Sequence, residues 1–570
     1  MKLRCTLFTA VVLSLMAVHA QTTVTITDGD LVGGQTYDWN SDTEYLLDGL
    51  VFLEEGSRLN IAAGTIIKGK ATATTGDNTS ALIIARGAQI FAEGTAESPI
   101  IFTAEEDDVN DPDDFDMTDR GEWGGLLILG NATIARPDGN DGIEGIDSDE
   151  DRARFGGDDD DDDSGVLRYV SIRHGGAQLS TDNEINGLTL GGVGSGTVID
   201  YIEVFANLDD GIEWFGGTVK VNHAAVSFCG DDGMDYDYGW RGGGQFWFVL
   251  QGPNDGTGRS GEHDGASPDN LAPFSEPTIY NATYIGIGEG ETATGGDATR
   301  SVPLSILFRD NAGGHYYNSV FTDFNGRAVG VEDRPDDDVD SYTRLQNGDL
   351  TICNSIFYGF GAGSEAADLF VAVNPDDEVV PASSAEVATL LTDCGNLFED
   401  PVLNNIADRD EDGAFLDPRP YSFGGVASEG APAAQEGFES VPYYGAFAPG
   451  AYGDQDRSWI NGWTALSASS LVFDQTNATG DRQLEGLLLS SPVPNPASNL
   501  TRVNFELPRA GEVNLSILDL VGRPLALRTR NYTAGAQSES IDVSQLPNGT
   551  YLLVLDYDGS RLLQKLVVNR

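Results

Sequence analysis

Two stretches of the chain are near copies of each other at a fixed offset. Ile199-Asp200-Tyr201-Ile202-Glu203-Val204 leads into Asp209-Asp210-Gly211-Ile212-Glu213-Trp214. Val221-Asn222-His223-Ala224-Ala225-Val226 leads into Asp231-Asp232-Gly233-Met234-Asp235-Tyr236, with every matching position 22 residues on. A fainter echo sets Asn281, Asn318 and Asn354 at one point of three short apolar runs, 37 and then 36 residues apart, as if each turn carried a longer loop. Self-similarity at this period marks a solenoid, and β-branched runs bounded by Gly, Asn and Asp select the β kind. Stacked coils put equivalent residues over one another at about 4.8 Å, so the asparagines are expected to bond in a ladder. The expected fold is all-β: a right-handed parallel β-helix. A multi-sheet sandwich is the runner-up, since it needs no fixed period.

The same stacking gives the acids a chemistry. Asp209 is expected over Asp231, Asp210 over Asp232 and Glu213 over Asp235, and like carboxylates at about 5 Å cannot all stay ionised without a counter-ion or raised pKa values. Bound calcium resolves this through several carboxylate oxygens in a flexible loop, which makes Asp209, Asp210, Asp231, Asp232 and Asp235 candidate ligands. The competing reading is that the side chains diverge into solvent, because Asp-Asp-Gly is also plain turn chemistry. A second candidate loop has Asp408, Asp410 and Asp412 at positions one, three and five with Gly413 at six, yet Arg419 stands where the closing bidentate glutamate belongs. The run Asp158 to Asp163 reads as a solvated loop first and a calcium loop second.

Composition decides compartment and partners. The formal charge of the 570 residues is −59, which excludes nucleic acid and anionic membrane surfaces as natural partners. Self-repulsion on that scale calls for salt or bound cations, and the bias toward arginine over lysine fits a salt-adapted surface or genomic base composition equally. Lys2 and Arg4 followed by the apolar stretch Leu7 to Val18 and the small residue Ala20 predict a signal peptide over residues 1–20, whose loss takes the charge to −61. No later apolar segment is long enough to span a bilayer. Cys229, Cys353 and Cys394 form an odd set, from which Cys353 with Cys394 is the expected pair and Cys229 a buried small apolar residue.

The chain resolves into a signal peptide (1–20), a β-helix with capping segments (21–470), a linker (471–484) and a C-terminal β-sandwich (485–570). Alternating short strands between Gly, Pro and Asn turns predict the sandwich, of immunoglobulin-like form.

Two functions compete. The first is non-catalytic: an acidic solenoid displayed outside the cell that binds polysaccharide or a neighbouring surface. Trp214, Tyr236, Trp240, Arg241 and Trp247 are its candidate ligand-binding residues, since aromatic rings beside charged groups suit sugar faces and hydroxyls; the competing reading is that the rings fill the coil interior. The second is a calcium-dependent polysaccharide lyase or a glycoside hydrolase, with Asp231, Asp232 or Asp235 holding the ion and Arg241 abstracting a proton, or with two carboxylates flanking the bond. His174 is a lone candidate base and more often structural. No Ser-His-Asp, zinc or phosphate-loop pattern appears, so no catalytic set is assigned. The binding reading is favoured.

Two resemblances add to this. Asp209 to Gly217, Gly230 to Asp237, Gly239 to Gly242 and Gln245 to Trp247, with Gly187 to Gly196 upstream, resemble a family of exported β-helical surface proteins, as do Gly64 to Gly69, Tyr444 to Phe447 and Trp459 to Trp463. That resemblance implies architecture and compartment, and no activity. Pro494, Asn495 and Pro496, then Ile517 to Asp519 with Gly522, Leu546 to Tyr551 including Gly549, and the terminal Lys565 to Val568 resemble the type A sorting domain of the type IX secretion system. This implies handling by the type IX machinery, passage across the outer membrane, and attachment of the remainder to surface lipopolysaccharide.

Overall fold

The structure is a computed structural model. It describes residues 22–569 apart from 112–113, 145, 147–148, 179–183, 253–257, 294–301, 335–338, 407–415, 422–424, 451–457, 469–487, 490–491, 493, 496, 519–523 and 558–559. The expected signal peptide, the linker, Asp408, Asp410, Asp412, Pro496 and Gly522 lie outside the described residues.

The repeat unit becomes one coil of a parallel β-helix. Ile212–Phe215 pairs in parallel with Met234–Asp237, Ile212 against Met234 and Glu213 against Asp235, 22 residues apart as the repeat requires. Val198–Phe205 pairs likewise with Lys220–Ser227, and that strand with Gly243–Leu250. Ten such short strands, from Leu50–Leu53 to Phe370–Val373, form one sheet. The longer strands form a 17-stranded sheet, which bends into two faces at a corner in mid-strand.

That corner has a backbone cause. Tyr169, Tyr201, His223, Phe246, Asn281, Asn318 and Asn354 all have positive φ, between 46° and 61°, and the strand registers put them in one column. A left-handed residue turns the strand and aims its side chain outward. Asparagine tolerates that conformation best among non-glycine residues, which explains the echo at positions 281, 318 and 354. The expected amide ladder does not form: Asn281 Nδ2 donates to Tyr443 O at 3.0 Å and Asn318 Nδ2 to Pro432 O at 2.9 Å. The amides reach across to a returning C-terminal segment because the corner points them away from the stack.

Alternation along each strand fills the interior. Ile212 and Trp214 share one side, as do Met234 and Tyr236, and all four are wholly buried in the main core. Each such side chain contributes roughly 1.5–3 kcal/mol by burial. The far end of the stack is closed by the helix Pro381–Thr392, which places Val387, Ala388 and Leu391 against the core. Cys353 and Cys394 are joined as a disulfide beside that cap, and Cys229 is free and buried, as the sequence suggests.

The C-terminal region is antiparallel. One sheet holds Leu488–Leu489, Leu500–Leu507 and Gly535–Asp542; the other holds Pro524–Tyr532, Gly511–Leu518, Gly549–Tyr557 and Ser560–Val568. Val503, Phe505, Val513, Leu515, Leu553, Leu555 and Leu566 fill the space between them. The strand Pro524–Tyr532 lies at its sheet's edge, where Arg528 and Arg530 interrupt the apolar alternation. Both pair with Glu539 at 2.9 and 2.8 Å.

Candidate functional site

The aromatic candidates are resolved by strand parity. Trp214, Tyr236, Trp240 and Trp247 are 0 % exposed, so they present no face to a ligand, and this corrects their expected role. They form an interior stack, with Trp214 4.6 Å from Trp240 and 5.3 Å from Trp247. Trp247 Nε1 donates to Val221 O at 2.8 Å and Tyr236 Oη to Gly313 O at 2.8 Å, which satisfies polar atoms that would otherwise be costly inside a core. Arg241, expected to meet ligand or abstract a proton, ion-pairs with Asp160 at 3.2 Å and donates to Gly239 O. It is thereby committed to holding loops together. The aspartate run it meets is structural: Thr133 N donates to Asp160, and Asn131 Nδ2 to the buried Asp162 at 2.9 Å. His174 Nδ1 lies 2.7 Å from Asp119 O, and burial pushes its pKa down.

The rings that do reach a surface opening are at the corner column. Left-handed corners on successive coils stack Tyr169 on Tyr201 (4.4 Å), Tyr201 on His223 (4.1 Å) and His223 on Phe246 (4.8 Å). His223 Nδ1 sits 2.8 Å from Asp200 Oδ1. The C-terminal segment returns over this column. Glu439 N donates to Gln245 Oε1 at 2.8 Å, Gln245 Nε2 returns a bond to Glu439 O, and Trp459 stands edge-on to His223 at 5.4 Å. Between column and segment lies a cleft of about 400 Å³, walled by His223, Phe246, Tyr443, Phe447 and Trp459 with Arg419 and Glu439 on its polar side. Arg419 is fixed by Asp417, Nε to Oδ1 and Nη2 to Oδ2 both at 2.8 Å. A cleft of that volume with aromatic walls and a few placed polar groups has the make-up of a small-ligand site. Sequence reading missed it because its two sides are some 200 residues apart.

The acids form a separate feature on the outer face of the ten-stranded sheet. Glu213, Asp235 and Glu262 occupy one column in register, and Asp237 and Asp264 the next. In the preceding turn Asp210 Oδ1 accepts from Asp232 N at 2.8 Å, and Asp232 in turn accepts from Arg259 N. Ligand atoms of Asp209, Asp210 and Asp231 lie within 4.8 Å of one another, as do those of Asp210, Glu213 and Asp235. The structure therefore assembles Asp209, Asp210, Asp231 and Asp235, leaves Asp232 paired with Arg259 one coil on, and adds Glu213. Burial pushes the Asp209 carboxyl up to about 7, with Asp231 adding to it. Burial, reinforced by neighbouring acids, pushes Asp210, Glu213 and Asp235 well above the usual carboxylate range.

In the sandwich, Asn495 Nδ2 donates to Lys565 O at 2.8 Å and its Oδ1 accepts from Val567 N at 2.7 Å. Pro494 O accepts from Thr501 Oγ1, and Gly549 opens the strand that pairs with the last one. Pro494, Asn495 and Lys565 thus meet at the final strand.

A family model described as a pectate-lyase-like beta helix domain matches residues 32–393, and a second, for a secretion system C-terminal sorting domain, matches residues 493–569. No curated protein matches the chain. Among the described residues no helix is long and apolar enough to cross a membrane.

Proposed function

The chain belongs to the pectate-lyase-like β-helix domain family and carries a type IX sorting domain that marks it for export to the cell surface or medium; from that premise we propose that it is a non-catalytic polysaccharide-binding protein of the cell exterior. The observation that carries this reading is the aromatic cleft between the corner column and the C-terminal segment. Phe246, Tyr443 and Trp459 offer ring faces and edges for the apolar side of a sugar, and Glu439 and Arg419 offer an acceptor and donors for its hydroxyls. A net charge of −59 repels polyanions, so the ligand is an uncharged polysaccharide or an anionic one bridged by cations, lipopolysaccharide included. Adhesion to such a surface follows from binding on an extended, exported scaffold.

The test is a panel of plant, algal and bacterial polysaccharides, read for binding and for reaction on the same samples. Binding without product, weakened at least tenfold by Trp459→Ala, is the expected result. Release of reducing ends or of unsaturated product, abolished by Asp232→Ala, would replace this reading with that of a lyase or hydrolase.

A further inference from the structure

Adjacent coils of the ten-stranded sheet carry the same problem, carboxylates stacked at strand spacing, and arginine answers it most directly around Glu262. Arg259, 2 % exposed, reaches Glu262, Asp232 at 3.9 Å and Asp377 at 3.1 Å. Arg309 reaches Glu262 at 2.6 Å and Asp264 at 2.7 Å. On the two coils before it, Asp210 and Glu213 with Asp235 bring their oxygens within 4.8 Å of one another, and the charges that act most strongly on them are other acids, with Arg309 acting on Asp235 without pairing with it directly.

Two independent observations show that this cluster has unmet bonding capacity rather than merely being acidic. Asp235 Oδ1 is buried without a hydrogen bond, and so is Oδ1 of Asn186. Asn186 is 4 % exposed and its Nδ2 donates to Glu213, so this incompletely satisfied amide lies against the cluster. A buried amide oxygen left without a hydrogen bond carries its full desolvation penalty. The pattern is of oxygen donors converging on a site, with Asp210 held in place by the Asp232 N–H at 2.8 Å.

We propose that Asp210, Glu213 and Asp235, with the amide oxygen of Asn186, form a calcium site on the outer face of the ten-stranded sheet. The donor set is all oxygen and mostly anionic, which selects a hard divalent cation. Calcium suits it better than magnesium, because magnesium demands near-octahedral geometry and retains its waters, whereas calcium accepts irregular carboxylate cages. The site is independent of the polysaccharide cleft and stands whether or not that reading holds.

Chelator-washed protein titrated with calcium chloride at constant ionic strength, by calorimetry, is expected to show one saturating site, with magnesium chloride at least tenfold weaker. Glu213→Gln and Asp235→Asn should each weaken calcium at least tenfold, while Asp231→Asn should not. Calcium affinity unchanged in the first two variants, or lost in Asp231→Asn alone, would overturn the assignment. The wild-type protein decides the matter even if a variant fails to fold: no saturable calcium heat and no rise in Tm at constant ionic strength would overturn it.

Discussion

The coil bearing Glu262 and Asp264 and the two coils beneath it, bearing Asp235 and then Asp210 with Glu213, stack their acids on the same sheet face, yet they neutralise them by different means. In the upper coil two guanidinium groups are built into the chain. Arg309 opposes the burial that still raises Asp264 to about 7. In the lower coils neighbouring acids deepen the shift that burial begins. The difference teaches that an internal cation makes a coil self-sufficient, whereas its absence makes the coil's stability a function of what the solvent supplies.

The largest expected effect tests the self-sufficient coil. Arg259→Met strands Asp232, Glu262 and Asp377 without their shared cation, and breaking a buried pair this way costs about 3–5 kcal/mol. Denaturant unfolding should show that loss; a change under about 1 kcal/mol would mean that the upper coil does not depend on its arginine. Next in size is calcium itself, which at a hundredfold excess over its wild-type Kd should stabilise the wild type by about 2.7 kcal/mol and Glu213→Gln, at the same concentration, by no more than about 1.4 kcal/mol.

The pH dependence follows in order. Burial, with Asp231 adding to it, raises Asp209 from 3.8 to about 7 in the folded state, so its stabilising contribution is complete below pH 3.8 and is lost as pH rises through 7. Asp210, Glu213 and Asp235 shift in the same direction, with Glu144, Glu184, Asp237 and Glu262 as further acids around them. In chelator, Tm should therefore fall between pH 5 and pH 8, and calcium should flatten the fall; a flat curve without calcium would remove the charge conflict. The smallest effect has the opposite sign to the first. Glu213→Gln in low-salt chelator should stabilise the protein by about 1 kcal/mol, through relief of like-charge repulsion.

Much of the architecture was legible because insertions spared the coils between Ile199 and Tyr236, leaving the 22-residue offset intact. The left-handed corner was half legible: Asn318 and Asn354 announce it, but Tyr201 and His223 at the same position do not, and the meaning of the asparagines was misread as a ladder. The tryptophans were misassigned although the signal was present. Ile212 and Trp214 share strand parity, so a buried Ile212 implies a buried Trp214, while Glu213 must face out. The cleft was illegible, since His223 and Trp459 meet only after the chain has wound through several coils and returned. Glu203 was hidden for the same reason. Its wholly buried carboxylate accepts from Ala465 N at 2.6 Å, Leu466 N at 3.1 Å and Ser171 Oγ at 2.6 Å, and no local pattern marks a glutamate that serves a segment 262 residues away.

The returning segment changes how this array comes apart. A solenoid normally frays coil by coil from an end, because each repeat touches only its neighbours. Here Pro432, Glu439, Tyr443 and Leu466 are bonded to Asn318, Gln245, Asn281 and Glu203 respectively, so these contacts act as a splint across coils that otherwise communicate only through their neighbours. The splint has nothing to dock on until those coils are stacked, so its contacts are expected to form late in folding. Contacts of that kind leave the folding rate alone and slow unfolding. For a protein exported to the cell surface or medium, where an unfolded chain is not refolded by cytoplasmic chaperones, a slow unfolding rate lengthens the native lifetime, and the splint is where the sequence provides for persistence.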